Sequence, residues 1–140
     1  VVSIWNEYLD LPGLPPESVM RAMFEKSRAL AHIGRGEEAI RGLEECAVSA
    51  RNPEWRALCL SEKANLLLRR EKPQEAWAVF EQLKDDAGLS AKDRALAAFS
   101  LAELMENQGQ KKEALALYES ILETYPNPNA VKSRIEYLRK

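Results

Sequence analysis

Gly34-Arg35-Gly36-Glu37-Glu38-Ala39-Ile40 is answered by Glu71-Lys72-Pro73-Gln74-Glu75-Ala76-Trp77 and again by Gly109-Gln110-Lys111-Lys112-Glu113-Ala114-Leu115. Each stretch sets Glu-Ala before a large apolar residue, and the alanines stand 37 and 38 residues apart. A period in this range belongs to stacked helical hairpins. Other positions keep the register. Twelve residues before each alanine stand Ser27, Ala64 and Ala102, all small; nine before stand Leu30, Leu67 and Met105, all bulky. Four after stand Leu43, Phe80 and Tyr118, and seven after stand Cys46, Leu83 and Ile121. The alanine, i+4 and i+7 positions form one stripe of a helix, and the earlier i, i+3 pair marks the edge of the helix before it. Small residues let two helices approach closely, while the bulky ones fill the gaps between hairpins.

Boundary residues agree with this spacing. Asn52 before Pro53 and Asn127 before Pro128 read as N-caps with proline at the first helical position. Ser90 with Asp93 approximates a capping box, and Pro73 suits a first turn. Gly34, Gly88 and Gly109 fit helix ends that need a left-handed residue. Helices are expected at 16–33, 37–50, 53–70, 73–86, 91–108, 111–124 and 128–139, the last with the stripe Val131, Ile135, Leu138. Asp85 and Asp86 sit badly with the negative end of a helix dipole. Residues 1–11 match the pattern of 121–126 and read as the tail of a further second helix. The last helix carries Glu136 and Arg139 near positions that the repeat fills with small and bulky residues, so it reads as a solubilising cap.

At 140 residues, with 46% hydrophobic and 30% charged side chains, the chain suits one folded domain. Disorder, collagen and a disulfide miniprotein are excluded. Twenty basic against 22 acidic residues leave a net charge of −2, so nucleic acid is not an expected partner. No run of about 20 apolar residues is present for a membrane helix, and no basic segment leads into an apolar signal core. The chain opens Val1-Val2-Ser3 without methionine and inside a structural unit, which reads as a segment of a longer protein. Soluble cytoplasmic and periplasmic settings both stay open. Cys46, Cys59 and His32 together fall short of a four-ligand zinc set. The cysteines read as reduced, partly buried thiols, with a bridge between them left open.

A helix-turn-helix unit with the turn Gly-x-x-x-Glu-Ala and a proline after the second helix resembles the tetratricopeptide repeat. The matching residues are Ser27, Leu30, Gly34, Ala39 and Leu43; then Ala64, Leu67, Ala76 and Phe80; then Ala102, Met105, Gly109, Ala114, Tyr118 and Pro126. The resemblance implies an all-α fold, a right-handed superhelical solenoid of antiparallel helical hairpins. Its parts would be the tail 1–11, repeats at 16–51, 53–88 and 90–126, and a capping helix at 128–140. Departures are clear. Met23, Leu60 and Ala98 replace the aromatic usual early in the first helix, and Gly36, Pro73 and Lys111 replace the one before Glu-Ala. The longer period implies longer linkers around Arg51–Asn52 and Ala87–Ser90. The stretch Glu119–Leu138, with its Tyr-Pro-Asn-Pro turn, resembles repeats of bacterial envelope-associated members.

The resemblance implies a protein-interaction scaffold whose groove is lined by the first helix of each hairpin. That face is expected to carry Phe24, Arg28 and Ala31, then Ser61, Asn65 and Leu68, then Phe99, Glu103 and Glu106. Phe24, Leu68 and Phe99 would offer apolar contact, and Arg28 and Asn65 hydrogen bonds, to a peptide or partner helix. Equally, Phe24 and Phe99 would pack against neighbouring hairpins, and Arg28 would pair internally with Glu62 or Glu103. Members that grip chaperone tails place Lys, Asn and Arg where this chain has Phe24, Arg28, Glu62, Leu96 and Ser100, so that subtype is not expected. Catalysis is not expected either. His32 stands alone near a helix end, Glu37, Glu38, Glu44, Glu45 and Glu113 read as a solvated face, and no phosphate loop, nucleophile elbow, cofactor motif or metal cluster is present. The alternative is an oligomerisation or assembly segment of a larger, bacterial envelope-associated protein. Its open half-unit 1–11 would pair with more repeats upstream or with another copy of the chain, and Val1, Ile4, Trp5 and Tyr8 would form an apolar patch.

Overall fold

The computed structural model describes residues 1–140 and contains eight helices and no strand. They are α1 (Val2–Leu9), α2 (Pro16–His32), α3 (Gly36–Ser49), α4 (Pro53–Arg69), α5 (Pro73–Lys84), α6 (Ala91–Asn107), α7 (Lys111–Ser120) and α8 (Pro128–Arg139). The caps stand where the sequence puts them. Asn52 accepts from the Trp55 N–H at 2.8 Å, Ser90 from Asp93 at 3.1 Å and Asn127 from Ala130 at 3.3 Å. Prolines 16, 53, 73 and 128 each open a helix, where the missing N–H would have had no intrahelical partner.

The three Glu-Ala turns share one backbone geometry. In each, an N–H reaches back to the bulky residue of the preceding helix: Arg35 to the Leu30 carbonyl, Lys72 to Leu67 and Gln110 to Met105, all at 2.9 Å. This bond closes a left-handed helix end. Gly34 (φ 86°) and Gly109 (φ 80°) supply the left-handed residue, but the middle turn uses Glu71 at φ 59°. A Cβ there is crowded by backbone carbonyls. Glu71→Gly is therefore expected to raise stability by about 0.5–1 kcal/mol, the relieved strain exceeding the entropy glycine brings to the unfolded chain. Chemical denaturation measures it, and a loss would mean that the turn tolerates Glu71 without strain.

Two helices end earlier than the pattern suggests. α5 stops at Lys84, so Asp85 and Asp86 lie beyond the helix rather than in its last turn. Asp86 Oδ1 instead accepts the Gly88 N–H at 2.9 Å, and Lys84 pairs with Asp85 at 2.9 Å. Gly88 is thus held in a side-chain-closed loop, while the left-handed glycines are 13, 34 and 109. α7 stops at Ser120 instead of 124. Tyr125 precedes proline and is barred from helical backbone, and its N–H and that of Thr124 both turn back to the Ile121 carbonyl, at 2.9 and 3.1 Å.

The chain divides into two compact units, Val1–Lys72 and Pro73–Lys140, the division falling within the segment expected as the second repeat. In the first, α2 and α3 meet through the repeat's small columns. Ser27 is buried and donates its hydroxyl to the Met23 carbonyl at 2.8 Å. It faces Gly42 so closely that a Cβ at Gly42 would run into the Ser27 hydroxyl. Arg70 lies across Gly36 in the same way, which fills the space that an aromatic before Glu-Ala would need. In the second unit, Ala98, Ala102, Ala114, Tyr118 and Ile121 form a buried cluster closed by Val131 and Ile135 of α8. Ala39, Ala76 and Ala114 are all fully buried. Ala114→Leu is expected to cost about 1–3 kcal/mol through overpacking, read from a thermal or urea midpoint; an unchanged midpoint would mean that the α6–α7 contact is loose.

Candidate functional site

Each trio expected on the recognition face is spaced i, i+4, i+7, so the rest of each stripe follows from the helices themselves. On α2 it runs Arg21, Phe24, Arg28, Ala31; on α4, Leu58, Ser61, Asn65, Leu68; on α6, Leu96, Phe99, Glu103, Glu106. In the first unit most of this surface is open. Arg28 and Asn65 are exposed, Ala31, Ser61 and Leu68 are half-buried, and Leu58 is 43% exposed. Phe24 is buried, with the Arg28 guanidinium over its ring at 5.8 Å from the centroid. Its apolar contribution is therefore made inward. Arg28 pairs with Glu25 at 3.7 Å, its neighbour one turn back, while Glu62 pairs with Arg69 at 3.8 Å. Both pairs are solvent-exposed and hold little energy, so Arg28 can change partners at small cost. Arg21 lies over the Trp55 ring at 5.7 Å and ties α2 to α4 at one end of the face.

The second unit uses its stripe differently. Phe99 stacks on Tyr125 at 4.5 Å between centroids and meets Tyr118 edge-on at 5.3 Å. It is a packing residue. The Glu106 side chain is only 9% exposed and takes three bonds. Tyr118 donates its hydroxyl to Oε1 at 2.6 Å, Arg134 Nε donates to the same oxygen at 3.0 Å, and Arg134 Nη2 donates to Oε2. The carboxylate expected to face a partner thus clamps α8 onto α6 and α7. Burial, then the bond to Glu106, pushes the Tyr118 hydroxyl well above its ordinary range, so it stays a donor.

Glu103 remains on the surface, but partial burial raises its carboxyl, with Arg134 opposing and Glu106 reinforcing the shift. A raised acid is one whose ionised form the fold disfavours. Its cost is present above the folded-state value and disappears as pH falls below the ordinary value of 4.5. Glu103→Gln is therefore expected to raise the melting temperature at neutral pH, with the gain vanishing below about pH 4. A gain that persists in acid would mean that some other contact is responsible.

The acidic residues of the second helices are not simply solvated. Lys72 and Arg70 hold the Glu37 carboxyl below its usual range, and Arg35 does the same for Glu38. Glu44 pairs with Lys63 at 3.1 Å. His32 is exposed in the last turn of α2. A cleft beside Trp55 is lined by Pro15, Pro16, Met20 and Arg51, with Glu17 as its acid. The cysteines differ from the expectation of reduced, partly buried thiols, being fully buried and joined to each other. No helix is long and apolar enough to cross a membrane. Leu58 and Leu96, exposed at 43% and 41%, are the apolar face residues that the trios miss, beside the exposed Arg21. Each sits three residues before the first member of its trio, and the helical period alone reaches both.

Residues 96–128 match the family model for the tetratricopeptide repeat. Two crystal structures from Podosopora anserina, of a protein described as a kinesin light chain with nearly identical TPR-like repeats, share this fold. One has a TM-score of 0.71 and 22% identity over 98% of this chain and 75% of the other. The second, a variant of the same protein, has a TM-score of 0.72 and 22% identity over 98% and 74%. No curated protein matches the sequence significantly. The chain has a TPR-like helical-repeat fold, all-α throughout.

Proposed function

We propose that the chain is a non-catalytic protein-interaction scaffold that recognises a peptide or partner helix through the α2–α4 face of its first unit. One observation carries the reading: Arg28, Leu58 and Asn65 share the recognition stripes, are exposed, and hold no buried bond of their own. Exposed arginine beside apolar surface is the composition that partner helices and peptides anchor on. In the second unit the same columns are spent on Tyr118, Tyr125 and Arg134, which is why the reading rests on the first unit alone. The fold by itself carries no function; the uncommitted side chains do.

The test is selection of displayed peptides against the wild-type chain, followed by binding measurements with an Arg28→Glu, Leu58→Glu variant. Both substitutions lie on exposed positions and should leave the melting temperature within about 2 °C. Selected peptides are expected to bind the variant at least about tenfold more weakly. Equal affinity would place recognition elsewhere.

Self-association is the second reading, and α1 favours it. That helix has no buried residue, and Val1 and Ile4 are 79% and 65% exposed. Sedimentation velocity across a concentration series should then show a mass increase that Ile4→Lys removes. A monomer at all concentrations would reject it.

A further inference from the structure

Cys46 in the second half of α3 and Cys59 in α4 are fully buried and joined to each other, with Cα atoms 6.0 Å apart. The bond closes a short loop, the cysteines being 13 positions apart, and ties the α2–α3 hairpin to α4. The repeat register shows what these positions hold elsewhere. Cys46 shares its column with Leu83 and Ile121, whereas Cys59, six residues into its helix, stands where α2 has Ala22 and α6 has Ala97. A bulky residue on the second helix and a small one on the next first helix are thus replaced by two side chains of intermediate size. The pair is smaller than the leucine and alanine of the next column by little more than a methylene group, a modest packing loss that leaves the contact able to form without the covalent bond. Cys46 Sγ also lies 3.6 Å from the Met20 carbonyl oxygen, which provides an acceptor for a thiol proton in the reduced form.

We propose that Cys46 and Cys59 form a redox-operated lock between the first hairpin and α4. Closing uses a disulfide-class oxidant such as glutathione disulfide. One protein thiolate attacks it and releases one glutathione; the second protein thiolate then displaces the other, forming the Cys46–Cys59 bond. Two protein thiols are oxidised to one disulfide, one glutathione disulfide is reduced to two glutathiones, and the two thiol protons end on the glutathione sulfurs. A dithiol reverses the sequence. Neither sulfur reaches solvent, so exchange passes through transient opening of α4, and its rate levels off as the oxidant concentration rises. Through α4 the lock also stiffens the face carrying Ser61, Asn65 and Leu68. That consequence rests on the recognition reading above, and the following test uses no partner.

The folded chain is reduced with dithiothreitol, freed of it, and equilibrated in buffers of increasing glutathione disulfide to glutathione ratio. Acid quenching, alkylation after unfolding and intact mass then count the free thiols. The expected result is one two-electron transition from two alkylated cysteines to none, with the closed form melting about 10 °C above the reduced form. The Cys46→Ala, Cys59→Ala variant should melt at one temperature in both conditions. Free thiols at every ratio, a glutathione adduct as the end point, or equal melting of the closed and reduced wild type would each overturn the lock. The wild-type titration decides the matter even where the double variant fails to fold.

Discussion

Tyr118→Ala is expected to lower the stability of the unit Pro73–Lys140 by about 3–5 kcal/mol. Tyr118 is fully buried, meets Phe99 edge-on and sits among Ala98, Ala102 and Ile135. Small alanines around it cannot collapse into the cavity its removal leaves, which places the cost toward the upper end. The substitution also takes one of the three bonds from the nearly buried Glu106 carboxylate. Tyr118→Phe separates the two effects, since it keeps the ring and removes only the charged hydrogen bond, at about 1.5–3 kcal/mol. Urea denaturation followed by far-UV circular dichroism measures both. The fluorescence of Trp77 reports the second unit, although Trp5 and Trp55 contribute from the first. If Tyr118→Ala costs less than Tyr118→Phe is expected to, the ring is not the anchor of this core.

Leu43→Ala is expected to cost the first unit about 2–5 kcal/mol. Leu43 occupies the column of Phe80 and Tyr118, is fully buried on α3, and lies next to the close approach of Ser27 and Gly42. Where Tyr118 has a polar tip to satisfy, Leu43 has none, so its cost is packing alone. In repeat chains the stability of one unit includes a contribution from its neighbours. Each single variant therefore tests that coupling. If Leu43→Ala shifts the unfolding of both units in one transition the units are cooperative, and if only the substituted unit shifts they are independent. A Leu43→Ala loss below about 1 kcal/mol would show that the first unit does not rest on this column.

How far the candidate site is legible in the sequence differs between its halves. On α2 and α4, Arg28, Asn65 and Leu68 stand at their expected stations and remain accessible. On α6, Phe99 and Glu106 satisfy the same periodicity but are half-buried and committed to Tyr125, Tyr118 and Arg134. Helical period assigns a residue to a face. What lies opposite that face is set by α8 and by the Tyr125 turn, which come from 19 or more residues further along the chain. No local pattern carries that information. The Arg28 pairing departs from expectation for the opposite reason, because a partner one turn away, Glu25, outcompetes distant carboxylates.

What the sequence determined by itself is the repeat: the number and order of helices, their caps, the columns of small and bulky residues, and the left-handed turns at Gly34 and Gly109. These follow from local bonding and helical spacing, each acting within a few residues. Tertiary structure alone decided the rest. It held Glu106 under Arg134, joined Cys46 to Cys59, and laid Arg70 over Gly36. Each of these depends on the distance between side chains from helices that only packing brings together, and packing is a sum of many weak contacts that no single spacing encodes.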